Sequence, residues 1–445
     1  MGAAIKVEYT DKPISPYGGL ETVKRFYLKT GLREIIEGLP LPEPGSNRGY
    51  NPVTLVEGFL MSVILGASRL THTGLLRYDK VISEMFGWKR GMASESTFSR
   101  FFRKHDVNLN DEIFLQYGKA WFEKVWLDKH TVDIDSTVIT RYGSQGGVRV
   151  GYNPKKRGRG SHHPIIAFSA ESKMVIQSWM RTGNSISKTD FEDFLDEIIR
   201  TISKDKIGLV RADSGFFSQD VLEKLEDEEL QYIIAAKMFS GLVQRIFDED
   251  RWRIITPGID ICSFTYKLDA WDTARRFVVV RKQRSLYPRA VGKSLFVEND
   301  EFEDYLYSAF VTNSDLSAEL IWELYKNRAT AETQIRELKE NYGLDGFCCE
   351  EFGATEAAFR WVCVAYNLMS LYKILLLNKK HDPNLTTLKF QCIAIAGYLT
   401  RHGRKKKLIL SAHHRRRDFL EDLFLKIEKV DTRSRFRPRF SSLMN

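Results

Sequence analysis

The sequence predicts an α/β protein, with a mixed sheet and covering helices, an all-helical N-terminal region and a β-rich insertion. Between residues 131 and 237 the apolar pattern alternates between strand and helix periods in the order β-β-β-α-β-α-β. Residues 54–127 keep helical spacing, and residues 238–304 return to strand-like alternation. These three observations organise the chain before any motif is considered.

The predicted segment boundaries follow these changes of pattern. They are 1–127 (helical), 128–237 (first part of the sheet domain), 238–304 (β-rich insertion), 305–378 (second part of the sheet domain, with a long helix from about 317 to 342) and 379–445 (basic C-terminal region). A small helical region such as the first can bind DNA. Packing or dimer formation is an equally good interpretation, and the pattern leaves both open.

Composition limits the class of protein. The chain has 445 residues, 43% of them apolar, which is enough for a sizeable core. It has no long uncharged apolar run and no apolar segment at its N-terminus, so we expect a soluble, intracellular protein without a membrane partner. The five cysteines show no C-x-x-C spacing, which favours reduced, structural thiols.

The positive charge is concentrated in two segments. Residues 141–163 contain six Lys or Arg and no acid, and residues 401–417 contain eight and no acid. Together they exceed the net charge of +9, so the rest of the chain is net negative. Focused basic segments are typical of proteins that bind nucleic acid, although each segment could also be a solvated loop.

Four carboxylates stand at positions that favour metal chemistry. Asp133 and Asp135 lie two apart on a predicted strand and so leave the same face. Asp213 ends another apolar strand, where its carboxylate would reach the rim of the sheet or cap the following helix. Glu332 lies on the long predicted helix. Rigidly held carboxylates beside basic residues suit Mg²⁺-dependent phosphoryl transfer, in which two ions about 4 Å apart act together.

Residues 325–343, YKNRATAETQIRELKENYG, predict one helix with an unusual polar stripe. Tyr325, Arg328, Glu332 and Lys339 fall within an arc of roughly 60° on a helical wheel. This stripe borders the apolar face formed by Leu324, Ala331, Ile335, Leu338 and Tyr342, while Gln334 would face solvent. An exposed ladder of ion pairs, with Arg328 and Glu332 four residues apart, is the simplest interpretation. A binding surface is the alternative.

These motifs together resemble a known family. The segments DIDST, GYNPKKRGRGSHHP and RADSGFF precede the Tyr325, Arg328, Glu332 and Lys339 stripe in one order. The set is similar to the DDE transposases of bacterial insertion sequences, specifically the branch with a Y-x2-R-x3-E-x6-K signature. The resemblance covers about residues 131–345 and implies a ribonuclease H-like core with the β-rich insertion before its last acidic residue.

The resemblance also implies the catalytic residues and their metal. Asp135, Asp213 and Glu332 would form the acidic triad and bind two Mg²⁺ ions, for which Mn²⁺ would substitute. Asp135 is preferred to Asp133 because the family's first aspartate is followed directly by a small hydroxyl residue, here Ser136. Asp133 would then be a supporting partner or a further metal ligand.

DNA contacts follow from the same resemblance. Tyr325, Arg328 and Lys339 would hold phosphates of the transposon end, with Arg328 suited to bidentate contact. The first basic segment follows the first catalytic strand, so the expected groove residues are Lys155, Lys156, Arg157, Arg159, His162 and His163. Relatives stack a flipped base on an aromatic residue of the insertion; Trp252 and Trp271 lie there, and core packing is the alternative for each. Residues 404–417 would contact phosphates without sequence preference.

The implied function is cut-and-paste transposition. Such a protein would bind the terminal inverted repeats of its insertion sequence as a homodimer on double-stranded DNA, cleave the ends through hairpins and join the 3′ ends to target DNA. It would act in the bacterial cytoplasm, at the nucleoid. A catalytically silent DNA-binding protein derived from a transposase and a host nuclease of the same fold are the alternatives. The complete acidic set argues against the first, and the Tyr/Arg/Lys stripe against the second.

Overall fold

The computed structural model describes residues 5–125, 127–287, 304–377, 382–403 and 405–430. Within those ranges no helix is long and apolar enough to cross a membrane. The described residues form two compact units: the helical unit, up to residue 117 and from 337 onward, and the sheet unit, residues 118–336. The division into five segments inferred from the sequence stays a prediction.

The sheet unit is built on nine strands that share one sheet. In chain order they are β1 (His130–Ser136), β2 (Ile165–Ser169), β3 (Val175–Trp179), β4 (Ile207–Ala212), β5 (Tyr232–Ala235), β6 (Arg253–Thr256), β7 (Ile259–Tyr266), β8 (Arg275–Gln283) and β9 (Tyr305–Thr312). Their spatial order is β6-β7-β8-β9-β5-β4-β1-β2-β3.

Strand directions identify the core. β1 pairs antiparallel with β2 and parallel with β4, β2 pairs antiparallel with β3, and β4 pairs parallel with β5. The order 3-2-1-4-5 is that of a ribonuclease H-like core, so the predicted fold class, a mixed sheet flanked by helices, is confirmed. The insertion strands β6–β8 pair antiparallel in sequence and join the core through β9 and β5, which extends the same sheet.

Helices flank this sheet. Those lying wholly in the sheet unit are Phe191–Ile202, Gln219–Asp227, Ser240–Phe247 and Ala318–Lys326, with short 3-10 turns at Lys204–Lys206 and Ser214–Phe216. Helix Ala318–Lys326 buries Ala318 and Ile321 against a cluster that includes Val278 and Phe310. Helix Ser240–Phe247 interrupts a segment that the sequence pattern predicted to be mainly strand. The predicted strand at SLFVEN lies outside the described residues.

A second, small sheet follows β1. Its strands are Ile139–Thr140, Arg149–Val150 and Gly160–His162, with the last in the middle and both pairings antiparallel. This small sheet and the loops that connect its strands include most of the first basic segment.

The helical unit confirms the predicted helical spacing of its N-terminal part. Its longest helices are Pro52–Ile64, Val107–Lys124, Phe352–Leu376 and His414–Lys429. The helices are Leu20–Lys29, Leu32–Glu37, Pro52–Ile64, Leu70–Leu75, Leu76–Tyr78 (3-10), Lys80–Phe86, Glu95–Phe102, Val107–Lys124 (which continues into the sheet unit), Phe352–Leu376, Leu385–Leu388, Lys389–Ile393 (π) and His414–Lys429. Strand Ile14–Ser15 pairs with the hairpin Gly397–His402 and Lys405–Leu410.

Local sequence explains several helix ends in this unit. Asn51 caps the helix that begins at Pro52, since its side chain accepts from the amides of Val53 and Thr54. Ser94 caps helix Glu95–Phe102, since its side chain accepts from the amide of Thr97. Among the described helices Phe352–Leu376 is the most extensively buried, in keeping with its nearly continuous apolar run.

Candidate active site

Two aspartates meet at the carboxyl ends of neighbouring parallel strands. The register of β1 and β4 pairs Asp133 with Arg211 and Ile134 with Ala212. The next residues, Asp135 and Asp213, therefore follow side by side at the rim of the sheet, where ligands of open α/β sheets bind. The sheet thus brings together two carboxylates that are far apart in sequence.

Asp135 is held in a low-dielectric environment. The residue is 7% exposed, and its Oδ1 accepts a 2.8 Å hydrogen bond from the amide of Ser136. Burial, assisted by the charges of Asp213 and Glu332 and opposed by the Arg328 guanidinium, raises the pKa of Asp135 to about 6. The charges of both other predicted triad members thus act in the same direction on this carboxylate.

Asp213 both begins a turn and faces the site. Its Oδ1 accepts a 2.8 Å hydrogen bond from the amide of Gly215, which caps the 3-10 turn Ser214–Phe216. The capping role considered from the sequence is therefore present. The capping hydrogen bond uses one carboxylate oxygen of Asp213. The charge of Asp213 also acts on Asp135.

The single helix predicted over residues 317–342 is wrong, because the chain forms two helices. Ala318–Lys326 ends at Asn327, and Ala329–Tyr342 begins two residues later. The break places Arg328 in a turn, where it is 5% exposed. Gln334, expected in solvent, is 4% exposed, whereas the apolar face is buried as predicted at Ala331, Ile335, Leu338 and Tyr342.

Arg328 lies between two of the predicted catalytic carboxylates. Its Nη2 is 3.2 Å from Asp135 Oδ1, and its Nη1 is 3.7 Å from Glu332 Oε1. The Glu332 side chain is 71% exposed, so the arginine joins a buried and an exposed carboxylate. The Arg328–Glu332 pair expected from the sequence is therefore present, but it is not a solvated ladder, because Arg328 is buried.

Asp133 has a different partner from Asp135. Its two carboxylate oxygens accept bonds of 2.6 and 2.7 Å from Nε and Nη2 of Arg211, and both side chains are almost fully buried. Arg211 Nη1 also donates to the carbonyl of Leu324. This bidentate pair connects β1, β4 and helix Ala318–Lys326, which favours the supporting role for Asp133.

Tyr325 and Lys339 complete the predicted stripe. Burial raises the pKa of the Tyr325 phenol to about 12, and its hydroxyl donates a 3.3 Å hydrogen bond to the carbonyl of Ala212, next to Asp213. Its ring packs on Phe310 with centroids 4.4 Å apart. Lys339 lies on helix Ala329–Tyr342 beyond the end of the sheet unit and is half-buried.

Ser187 is a site residue that the sequence analysis missed. Its hydroxyl is 2.9 Å from that of Ser136, beside Asp135. A Cβ on Gly215, in the turn capped by Asp213, would lie 2.4 Å from the same hydroxyl. Arg181 Nη1 donates a 3.1 Å hydrogen bond to the Ser187 carbonyl. Ser187 thus braces the end of β1, which carries Asp135, and the turn that begins at Asp213. An isolated serine in a loop has no sequence signal that would identify it.

The first basic segment divides into exposed cations and buried histidines. Lys155, Lys156, Arg157 and Arg159 are exposed. His162 and His163 are 0% and 4% exposed.

Both histidines make contacts that fix their loop. Arg141 Nε lies 3.2 Å from His162 Nδ1, and His162 Nε2 lies 2.9 Å from the Gly146 carbonyl. Burial lowers the pKa of His162 to about 4, so its ring is neutral and Nε2 carries the proton. His163 Nδ1 is bonded to the Ser185 carbonyl. These contacts favour a positioning role over the direct DNA contact predicted from the sequence.

The two tryptophans of the insertion have different environments. Trp271 is 6% exposed and packs on Phe217 and Phe277, which fits the core alternative. Trp252 is half-buried, with the Arg281 guanidinium 4.3 Å from its ring centroid. Of the two, Trp252 has the more accessible ring.

A metal site was predicted at the three carboxylates. Within the described part of the chain, no group of three or more His, Cys, Asp or Glu side chains is arranged to hold a metal ion. The donor chemistry nevertheless fits one, because carboxylate oxygens are the ligands that Mg²⁺ prefers. The repulsion that helps to raise the pKa of Asp135 is what a divalent cation would relieve. Arg328 brings a positive charge to the same carboxylate.

Comparisons with known proteins extend this description. A family model described as transposase DDE domain group 1 matches residues 1–432. No curated protein matches the chain. Among solved structures, the chain is similar to a piggyBac transposase in a synaptic complex with hairpin DNA, at 12% identity and a TM-score of 0.44. That match covers 97% of this chain and 86% of the other. Because the family match spans almost the whole sequence, this chain belongs to the transposase DDE domain family, group 1.

Proposed function

We propose that this chain is the transposase of a bacterial insertion sequence, from the branch with the Y-x2-R-x3-E-x6-K signature. It binds the terminal inverted repeats of its element, cleaves the ends by metal-dependent phosphoryl transfer through hairpins, and joins the 3′ ends to target DNA. Membership of the DDE transposase family supports the general activity. The signature residues Tyr325, Arg328, Glu332 and Lys339 support the branch.

One observation carries the proposal. Asp135 and Asp213 follow adjacent parallel strands at one rim of the sheet, and Arg328 contacts Asp135 and Glu332. Three acidic residues from distant parts of the sequence thus interact around one cation. A structural ion pair would need one carboxylate and one cation, whereas phosphoryl transfer needs several carboxylates at one place.

Asp135, Asp213 and Glu332 would hold the divalent ions, Mg²⁺ in the cell and Mn²⁺ as a substitute. When bound, the ions supply a polarised nucleophile and stabilisation of the leaving oxygen. The other residues orient these ligands. Asp133 holds Arg211, which lies on the strand that leads to Asp213. Ser187 contacts Ser136, the residue after Asp135. Arg328, buried beside Asp135, is placed to offer its guanidinium to a phosphate of the DNA.

The proposed DNA interface uses the exposed cations. These cations are Lys155, Lys156, Arg157 and Arg159. They follow the strand that carries Asp135, and no acidic residue occurs in the segment 141–163 around them. They would contact phosphates on both sides of the cleaved bond. Tyr325 and Lys339 would position the transposon end, and Trp252 is the candidate for stacking a flipped base. Two copies of the chain would hold the two ends as a dimer.

The first experiment measures cleavage directly. The full chain is incubated with Mg²⁺ and a labelled duplex that carries the element's terminal repeat, and the products are separated on a denaturing gel. Hairpin and joined products should form with the wild type and disappear with Asp135→Ala, Asp213→Ala and Glu332→Ala, while DNA binding is retained. Glu340→Ala, an exposed position on the same helix as Glu332, is the matched control and should remain active.

Each other outcome has a defined meaning. Wild-type activity in one of the three alanine variants removes that residue from the triad. Specific binding without cleavage in Mg²⁺ or Mn²⁺ would show a DNA-binding protein without chemistry. Products that are cut but never joined would show a nuclease.

A further inference from the structure

A strongly basic exposed surface of the sheet unit surrounds the small second sheet. We name residues 139–163 the basic lobe. Its six Lys and Arg side chains are accompanied by no acid, and five of the six, all except Arg141, are exposed. Such a surface attracts a polyanion.

The basic lobe has a defined internal structure. Asn153, 4% exposed, donates from Nδ2 to Thr140 Oγ1 at 3.0 Å and accepts from the Lys156 amide at 3.0 Å. These bonds hold the basic turn 154–159 against the strand that follows β1. The backbone of the basic lobe is therefore ordered, and this fixes the points from which its exposed side chains extend.

A glycine contact ties the basic lobe to the segment after β3. A Cβ on Gly183 would lie 2.1 Å from the Ser161 carbonyl oxygen and 2.2 Å from that of Arg149. The Gly183 amide also donates a 3.2 Å hydrogen bond to the Gly147 carbonyl. Only glycine permits this approach, so the backbone beneath the lobe is closely packed.

Two aromatic side chains of the lobe are left in water. Tyr142 is 70% exposed and Tyr152 is 68% exposed. The Lys156 ammonium lies 5.0 Å from the centroid of the Tyr142 ring and bonds to its hydroxyl, and the Arg159 guanidinium lies 5.9 Å from the same centroid. Tyr142 thus presents an open ring with two cations at its side.

This combination fits one kind of ligand. Exposed aromatic rings among cations bind single-stranded nucleic acid, because bases stack on the rings while the cations hold phosphates. A base inside a duplex already has both faces stacked, so only an unpaired base can use the Tyr142 ring. A fully paired duplex would therefore be bound through the cations alone.

The position of the lobe relates it to the cleaved bond. Tyr142 follows Asp135 by seven residues, which places the two at most about 25 Å apart along an extended chain. That distance corresponds to about seven nucleotides of one DNA strand at 3.4 Å each. A strand at the Asp135 carboxylate can therefore reach the Tyr142 ring.

We propose that the basic lobe is a stacking site for an unpaired nucleotide of the DNA strand that leads to the active site. Tyr142 supplies the ring, and Lys156 and Arg159 hold the adjoining phosphates. The identity of the ligand as DNA rests on the proposed function. The stacking surface itself is separate from the catalytic carboxylates and from the tryptophans of the insertion.

The test compares two labelled DNAs in the presence of EDTA, so that no cleavage takes place. One is a blunt duplex, and the other is the same duplex with a short single-stranded overhang; affinity is measured by fluorescence anisotropy with the full chain. Wild type should bind the overhang DNA more tightly. Tyr142→Leu should lose roughly tenfold in affinity for the overhang DNA and keep its affinity for the blunt duplex.

Two variants provide controls. Tyr142→Phe retains the ring and should retain the preference for the overhang. Tyr78→Leu replaces a tyrosine that is 81% exposed in the helical unit and should behave as the wild type. An equal affinity of wild type for both DNAs, or an undiminished preference in Tyr142→Leu, overturns the proposal.

Salt dependence separates stacking from charge. Lys156→Gln should reduce the slope of log affinity against log salt by about 0.7 for a single-stranded contact. Tyr142→Leu should leave that slope unchanged; a reduced slope would mean that the ring only positions Lys156, which contradicts stacking. Cleavage without overhang preference removes this proposal alone. Overhang preference without any cleavage removes the proposed enzyme and leaves the stacking site.

Discussion

Arg328 and Asp135 form a buried contact at the rim of the sheet, with Nη2 3.2 Å from Oδ1. The arginine is shared, since Glu332 is also within ion-pair distance. Two residues earlier on the same strand, Asp133 has Arg211 to itself through two short hydrogen bonds. Burial raises the pKa of both aspartates, but only Asp133 has a bidentate arginine partner of its own, and two of the predictions below follow from this difference.

Asp135→Asn should stabilise the metal-free protein. A rise in pKa to about 6 means that the charged carboxylate is disfavoured in the folded state. Stability from this group is fully present below about pH 4, is lost as pH rises through 6, and above that the charge costs about 2 to 3 kcal/mol. Urea unfolding without divalent ions should show a gain of about 2 kcal/mol above pH 6 and none below pH 4. An unchanged free energy of unfolding above pH 6 would contradict the prediction.

Asp133→Asn should have the opposite effect. It leaves the Arg211 guanidinium buried with no carboxylate, which costs about 3 to 5 kcal/mol for a broken buried pair. The same urea measurements test it, with Asp135→Asn as the matched comparison on the same strand. The double variant Asp133→Asn, Arg211→Met should recover part of the loss, because no unpaired charge remains. Equal stability of the single and double variants would refute the role of the pair.

Ser187→Ala should slow cleavage without weakening DNA binding. The lost hydrogen bond to Ser136 is worth about 1 kcal/mol, so we expect a rate about three- to tenfold lower. Gly215→Ala should also slow cleavage, because the added Cβ would lie 2.4 Å from the Ser187 hydroxyl. Combining it with Ser187→Gly removes that clash and should restore part of the rate. If Ser187→Ala cleaves as fast as the wild type, the brace does not position the carboxylates.

Protonation of His130 should contribute to acid unfolding. Its ring is buried at the start of β1, 3.0 Å from the Ser169 hydroxyl, and burial lowers its pKa to about 4. The stability that this neutral ring provides is fully present above about pH 6.5 and is lost as pH falls toward 4, by about 3 kcal/mol. His130→Gln should therefore show a smaller loss between these pH values. An equal loss of stability in His130→Gln and in the wild type would contradict this prediction.

The basic C-terminal region should contribute to the salt dependence of DNA binding. Lys405, Lys407 and Arg415 are exposed, and replacing all three with Gln should lower the slope of log affinity against log salt by up to about 2.7. Lys406 is 2.9 Å from Glu84 in an ion pair, so Lys406→Gln is the control and should change the slope little. An unchanged slope in the triple variant would leave this region a solvated surface. Arg404, part of the same predicted segment, lies outside the described residues.

Local patterns of apolar residues predicted the core of the sheet unit. Alternation and helical spacing identified β1 to β5 and the helices Phe191–Ile202 and Gln219–Asp227, because burial of one face imposes the period along each element. The break at Asn327 was not predicted. Residues 325–343 keep a helical apolar pattern across the break, so periodicity alone does not show that the helix is interrupted.

The sequence by itself determined the order of the core strands β1 to β5 and of the helices between them, and its motifs predicted the ribonuclease H-like class and the set of acidic residues. Only the tertiary structure decided how the charges are used. Asp133 and Asp135 have the same local pattern, but the arginine that neutralises Asp133 lies 78 residues away, at Arg211, and Arg328 approaches Asp135 from a later turn. A buried carboxylate must obtain its counter-charge from whichever element packs against it. That element is chosen by strand register and helix packing, which no short stretch of sequence contains.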